Sequence, residues 1–246
     1  MSEGSSIMDL KQKRALVTGA ARRLGREVVL YLSQKGCQVT AHYCASSAEA
    51  RRLQQETGCA LFQADFSSGP VSGLLDRIGK EVGEVDILIN NASSFRKSTW
   101  TDTGEEMWDH EFAVNLKVPF FLSQHFGRQM KAKGSGKIIN LADIAAYRAY
   151  LNYLPYSLAK SGIVALTQAL ARALAPEVQV NAIAPGTVLF VEGLREDSKK
   201  KMIEKIPAGR PATVGEFLET VDFLLSGVDY ITGQTLVLDG GRTLTW

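Results

Sequence analysis

The stretch Thr18-Gly19-Ala20-Ala21-Arg22-Arg23-Leu24-Gly25 decides the fold. It follows an apolar run at 14–18 and precedes an amphipathic segment at 24–35, in which Leu24, Val28 and Leu32 recur every four residues. A strand that enters a helix through a glycine-bearing turn is the pattern of a phosphate-binding unit. Gly19 lets the chain turn tightly, and Gly25 lets the helix lie close to the sheet. The middle position, ordinarily glycine in such a turn, is Arg23. A guanidinium therefore stands where a pyrophosphate is expected. On the first turn of a helix an arginine opposes the helix dipole, and a phosphate partner removes that conflict.

Outward from this turn, short β-branched runs alternate with helical stretches. Strands are expected at 14–18, 37–42, 60–64, 85–89, 137–141, 178–183 and 235–238. Helices are expected at 24–35, 47–57, 71–82, 104–133, 153–175 and 213–225. Pro119 must kink the 104–133 helix or sit at a join. The alternation argues for an α/β fold, a doubly wound parallel sheet of about seven strands with helices on both faces. No repeat or linker divides 1–246, so one domain is expected, with 1–12 flexible. The charged stretch 192–205 reads either as a solvated helix or as a flap over a site. The terminal Trp246 reads as a buried contact.

Composition narrows the partners. The chain of 246 residues carries 28 Lys+Arg against 26 Asp+Glu, a formal charge of +2. Nucleic-acid binding needs a concentrated basic excess, which is absent. The first residues lack the apolar centre of a signal peptide, and no apolar run approaches the roughly 18 residues of a membrane span. A cytoplasmic protein with no membrane partner is expected. Cys37, Cys44 and Cys59 show no C-x-x-C spacing, so neither a disulfide framework nor a metal site is expected.

Two further constellations carry chemistry. The second strand ends in His42-Tyr43-Cys44-Ala45-Ser46-Ser47, with no acid before Glu49. A carboxylate there would hold the ribose 2′-hydroxyl of NAD. Its absence, with Arg22 in the adjacent turn, favours the 2′-phosphate of NADP. Further along, Tyr156 and Lys160 stand four apart on one helix face. A neighbouring ammonium lowers a phenol's pKa and makes it a usable acid and base near neutrality.

Together these residues resemble the short-chain dehydrogenase/reductase family over nearly the whole chain, from about residue 13 to 244. The resemblance rests on T-G-x-x-x-x-x-G at 18–25, Asn90-Asn91-Ala92, Asn115, Tyr156 with Lys160, Asn181, Pro185-Gly186 and Asp239-Gly240-Gly241. It implies a seven-stranded Rossmann sheet, a homotetramer, and hydride transfer between NADP(H) and a small-molecule substrate. Tyr156 would be the proton donor, and Lys160 would hold the nicotinamide ribose and depress the tyrosine pKa. Asn115 would anchor a water of the proton relay. The cofactor would lie along Gly19, Arg22, Arg23, Leu24 and Gly25, with His42, Tyr43 and Ser46 beside its 2′-phosphate. Asp65 and Phe66 would flank the adenine, and Asn91, Ala92 and Ser93 the next ribose. Pro185, Gly186 and Val188 would line the nicotinamide.

One position departs from the family. Thirteen residues before Tyr156, where a serine is usual, stands Asp143. An ionised carboxylate only accepts hydrogen bonds and would repel a developing alkoxide. It suits a substrate that brings N–H donors, or, if protonated by burial, it joins the proton relay. Asp143, Arg23 and the Ser93-Ser94-Phe95 that follow Ala92 resemble the pteridine reductase branch. That resemblance implies an NADPH-dependent reductase of pterins or dihydropterins, with Phe95 stacking the substrate and Arg23, Ser93, Asp143 and Tyr156 contacting it. Ala45 replaces a basic residue common in that branch and shifts the 2′-phosphate grip to Arg22 and Ser46. Two alternatives remain: a reductase of carbonyls such as 3-oxoacyl thioesters or small ketones, and a non-catalytic NADP-binding protein.

Overall fold

In a computed structural model that describes residues 8–191 and 193–245, the apolar runs become seven strands. They are Arg14–Val17 (β1), Gln38–Tyr43 (β2), Ala60–Gln63 (β3), Ile87–Asn90 (β4), Gly136–Leu141 (β5), Val178–Pro185 (β6) and Thr235–Leu238 (β7). The helices between them are Arg23–Gln34 (α1), Ser47–Thr57 (α2), Val71–Glu81 (α3), Glu105–Phe112 (α4), Val118–Lys133 (α5), Leu154–Leu174 (α6), Glu196–Ile203 (α7) and Val214–Asp222 (α8). All neighbouring strands pair in parallel, in the order β3-β2-β1-β4-β5-β6-β7. The α/β doubly wound sheet is the one the alternation predicts.

Parallel sheets need cover on both faces, which is why β4 and β5 are buried along their whole length. On one face Val28 and Leu32 of α1 meet Phe217 and Val221 of α8. On the other, Ile78 of α3 and Leu122, Phe126 and Met130 of α5 close over Leu16, Leu88 and Ile138. Each such side chain contributes about 1.5–3 kcal/mol by leaving water. The strand order reverses between β1 and β4, and a crevice opens past their carboxyl ends. The turn after β1 and the segment after β4 meet there.

The structure redraws several boundaries. The 104–133 helix is two helices, α4 and α5, joined by a wide π-type turn at Ala113–Lys117. Pro119 lies in the first turn of α5, where its missing N–H costs little, and it does not kink a continuous helix. The 213–225 helix ends likewise in a wide turn, Phe223–Gly227. Of the stretch expected to be flexible, 1–7 lie outside the described residues. Met8 and Leu10, by contrast, are buried against the first sheet face, so 8–12 are packed down by apolar contact. In the 192–205 stretch, Glu192 lies outside the described residues, and α7 buries none of its side chains. Trp246 also lies outside them. No helix among the described residues is long and apolar enough to cross a membrane.

Candidate active site

The turn between β1 and α1 leaves a cradle of backbone. Gly19 has φ +62°, and a Cβ there would fall 2.7 Å from the Ala92 Cα. A Cβ on Gly25 would fall 2.3 Å from the Gly19 carbonyl oxygen. Only glycine fits either place. Asn91 locks the turn from β4: its Nδ2 donates to the carbonyls of Thr18 at 2.8 Å and Gly19 at 3.0 Å. The backbone N–H groups of Asn91 and Ala92 donate to the Thr18 hydroxyl. Helix α1 starts with no side-chain cap and no acid in its first turn. Its free N–H groups and positive dipole end fit a phosphate. Arg22 before α1 is exposed, and Tyr43 at the end of β2 and the uncapped Ser46 before α2 are partly exposed. These residues fit a dinucleotide carrying an extra phosphate.

Two residues of this group do other work than expected. His42 is 2% exposed and cannot reach a ligand. Its Nδ1 accepts from the Gly19 N–H at 3.1 Å, its Nε2 lies 3.0 Å from the Ala64 carbonyl, and its ring stacks on Phe66 at 3.9 Å. Burial pushes its pKa down to about 4, so it is neutral and braces the turn from behind. Arg23 does not lie on the phosphate position. Its Nη2 and Nη1 donate to the carbonyls of Leu189 at 2.8 Å and Phe190 at 3.2 Å. Its backbone adopts φ +53°, the left-handed region that explains why glycine is usual here. That conformation costs a non-glycine residue roughly 1–2 kcal/mol, which the two charge-assisted bonds offset.

Around the rest of the cradle, Asp65 is exposed after β3 and is fixed by the Ser67 N–H and hydroxyl, which hold its carboxyl below the usual range. Phe66 is buried beneath it, and Leu24 packs partly into the core. Pro185 and Gly186 leave β6 half-buried and Val188 turns inward.

The residues expected to be catalytic gather at the carboxyl end of β5. The Tyr156 hydroxyl donates to Asp143 Oδ2 at 2.7 Å. Asp143 Oδ1 accepts the Ala145 N–H at 2.7 Å, capping the short 3-10 turn at Ile144–Ala146. Lys160 is 3% exposed, donates to the Leu141 carbonyl at 2.6 Å and lies 5.6 Å from the centre of the Tyr156 ring. Burial pulls its pKa down to about 8, against the opposing pull of Asp143 and Glu111. Burial also raises Asp143, although Ala145, Tyr156, Lys160 and Tyr150 oppose it. Tyr156 moves opposite to expectation. Burial first, then the Asp143 charge and its hydrogen bond, hold the phenol well above 10. The Tyr156 phenol is therefore in its protonated, proton-donating form.

Sequence spacing did not expose Tyr150, Tyr153, Ser94, Ser98 or Glu111 as partners of this group. Burial first, then the nearby Asp143 charge, push the Tyr150 phenol up. Tyr153 stacks on Phe95 at 3.9 Å with the planes 5° apart, while Tyr156 meets the Phe95 ring edge-on at 4.7 Å. A bridge between Ser98 and Tyr153 holds the Phe95 loop to the start of α6. Ser94 and Glu111 bond one another, and Asn115 joins them: its Nδ2 donates to Ser94 O at 3.0 Å and Glu111 Oε2 at 3.1 Å, and its Oδ1 accepts from Ser93 at 2.8 Å. Only the tyrosine run at 150–156 was a visible signal, and its meaning depends on the loop that folds over it. Asn115 lies in the wide turn, and Pro119 has no N–H to give its carbonyl. The expected catalytic set thus converges, and the half-exposed Phe95 ring stands at its edge.

Comparison with known proteins places this geometry. The sequence model of a family described as enoyl-(acyl carrier protein) reductase matches residues 19–243. The chain is 35% identical over 239 residues to the 3-oxoacyl-(acyl-carrier-protein) reductase FabG of Staphylococcus epidermidis, covering 93% of this chain and 98% of that one. It is 32% identical over 246 residues to the 2-dehydro-3-deoxy-D-gluconate 5-dehydrogenase of Escherichia coli, covering 96% and 97%. It superposes with a TM-score of 0.88 and 32% identity on FolM alternative dihydrofolate reductase 1 from Brucella canis complexed with NADP, covering 97% and 96%.

Proposed function

The chain belongs to the short-chain dehydrogenase/reductase family, and from that premise we propose that it is an NADPH-dependent reductase of pterins or dihydropterins. The observation that carries this reading is Asp143, which accepts the Tyr156 hydroxyl, with the ring of Tyr156 set edge-on against the half-exposed Phe95. A flat heteroaromatic ring suits the Phe95 face, and an aminopyrimidine edge brings the N–H donors a carboxylate accepts. The solved FolM relative is a dihydrofolate reductase with NADP, which supports both substrate class and cofactor. Arg22 and Ser46, with no acid at the end of β2, favour NADPH over NADH.

The bound cofactor supplies the hydride. The chain's own residues do the rest. Gly19, Gly25 and the α1 N-terminus hold phosphate, and Asp65, Asn91, Pro185 and Gly186 border the remaining length. Asp143 fixes the substrate edge. Tyr156 holds the proton that goes to the ring nitrogen as the adjacent carbon takes the hydride, so a C=N bond becomes CH–NH. Lys160 keeps positive charge beside the phenolate left behind. The same family membership implies a homotetramer. Exposed Trp108 and Phe120, on α4 and α5, supply apolar surface for it, and light scattering tests the mass.

A second reading, a carbonyl reductase, is favoured by the 35% identity to a 3-oxoacyl reductase. NADPH absorbance followed with dihydrobiopterin, folate, a 3-oxoacyl thioester and small ketones separates the two. Turnover of pterins supports the first reading. Good carbonyl turnover with none on pterins removes it. Tight NADPH binding with no acceptor turned over leaves a non-catalytic binding protein.

A further inference from the structure

Glu111, on the last turn of α4, is 0% exposed, yet no step above uses it. A buried carboxylate is costly unless hydrogen-bonded or paired with a cation. Glu111 has both kinds of partner. Oε1 accepts the Ser94 hydroxyl, and Oε2 accepts the Asn115 amide at 3.1 Å. That amide also reaches the Ser94 and Glu111 carbonyls, each at 3.0 Å. The Asn115 oxygen takes the Ser93 hydroxyl at 2.8 Å, and Ser93 lies beside the Tyr156 phenol, opposing the rise of its pKa. One carboxylate thus secures the wide turn carrying Asn115 and the loop edge that faces Tyr156.

The charges around it complete the argument. Helix α6, which carries the buried Lys160, packs against α4, and the Glu111 charge acts on Lys160 across that contact. The Lys160 ammonium donates to a neutral carbonyl, that of Leu141. Its counter-charges are Asp143, from the end of β5, and Glu111. His110 meets Ser94 Oγ at 3.1 Å from the same helix as Glu111. Tyr156 and Tyr150 face Asp143, with Arg242 acting on Tyr150 from beyond β7. Asp143 is shared with the substrate, whereas Glu111 touches neither substrate nor the cofactor cradle.

We propose that Glu111 is a positioning residue that fixes Asn115 and Ser93 beside Tyr156 and supplies a buried negative charge on the Lys160 side of the pocket. The proposal rests on the reading of Tyr156 and Lys160 as the acid–base pair, and not on which substrate is reduced. Since burial lowers Lys160 to about 8 and Glu111 opposes that fall, removing the Glu111 charge must lower it further.

The test uses the full chain, labelled with 13Cε-lysine, with Lys160→Arg to assign the Lys160 resonance. In Glu111→Gln the Lys160 midpoint is expected to fall by about 0.5–1 pH unit, as for one lost charge at short range. The basic limb of kcat should shift by the same amount, with KM for NADPH changed less than about 2-fold. Glu111→Asp keeps the charge and should restore the limb. It also replaces Glu111→Gln in the comparison should that variant fail to fold, since a shorter carboxylate must then move the midpoint less than a lost one. An unmoved midpoint in folded Glu111→Gln, or a loss confined to thermal stability, overturns the proposal. Should the wild type reduce no acceptor, the enzymatic reading fails on its own, and the Lys160 titration still decides the role of Glu111.

Discussion

The phosphate turn at 18–25 and the pocket around Tyr156 open on the same edge of the sheet but are built differently. The turn is made of backbone. Two glycines, a free helix end and the amide of Asn91 shape it, and the side chains nearby brace it or stay out of the way. The pocket is made of side chains from the loop after β4, the α4–α5 join, the end of β5 and α6, each held by another. A backbone site fails when a single atom is added. A side-chain site changes its chemistry when a single atom is exchanged.

The contrast can be broken most severely at the chemical step. Tyr156→Phe removes the proton and should lower kcat by about 10²–10⁴ while leaving NADPH affinity nearly unchanged. Stopped-flow turnover beside a fluorescence titration of NADPH measures both. Gly25→Ala should do the reverse. The added Cβ clashes with the Gly19 carbonyl and the Asn91 amide, so NADPH affinity should fall about 100-fold, equivalent to about 2.7 kcal/mol. If affinity holds, the turn is not the phosphate site.

Asp143→Ser sharpens the difference within the pocket. Pterin turnover should drop roughly 10–100-fold and ketone turnover should rise, because a hydroxyl donates to a carbonyl where a carboxylate cannot. Unchanged pterin turnover takes Asp143 out of the mechanism. A smaller effect comes from pH. The ammonium of Lys160 is the form lost as pH rises through about 8, so kcat should decline above that point. A flat profile from pH 7 to 10 contradicts the charged role. The mildest expectation is Arg23→Gly. It relieves the positive φ but loses two bonds to the Leu189 and Phe190 carbonyls, so unfolding free energy should change by less than about 1 kcal/mol. Substrate KM, not NADPH affinity, should carry what change there is.

Much of the scaffold was readable before any coordinates. Alternation of short apolar runs with helices named all seven strands and the parallel sheet, and the helix period placed Tyr156 and Lys160 on one face. The division of 104–133 was not readable, because one proline is compatible with a kink or a join. Nor was the burial of His42, whose place at a strand end looked the same whether it faced solvent or Phe66.

The amino-acid sequence by itself determined the order of strands and helices along the chain, the glycine turn and the placing of Tyr156 and Lys160 on one helix face. These depend on backbone constraints that act over a few residues. The tertiary structure alone decided that Arg23 reaches across to Leu189, that Tyr156 bonds Asp143, that Glu111 ties Ser94 to Asn115, and that the Tyr156 proton is held rather than loosened. Each of those is set by burial and by charges brought together from distant segments, and such sums have no local signature for a sequence to display.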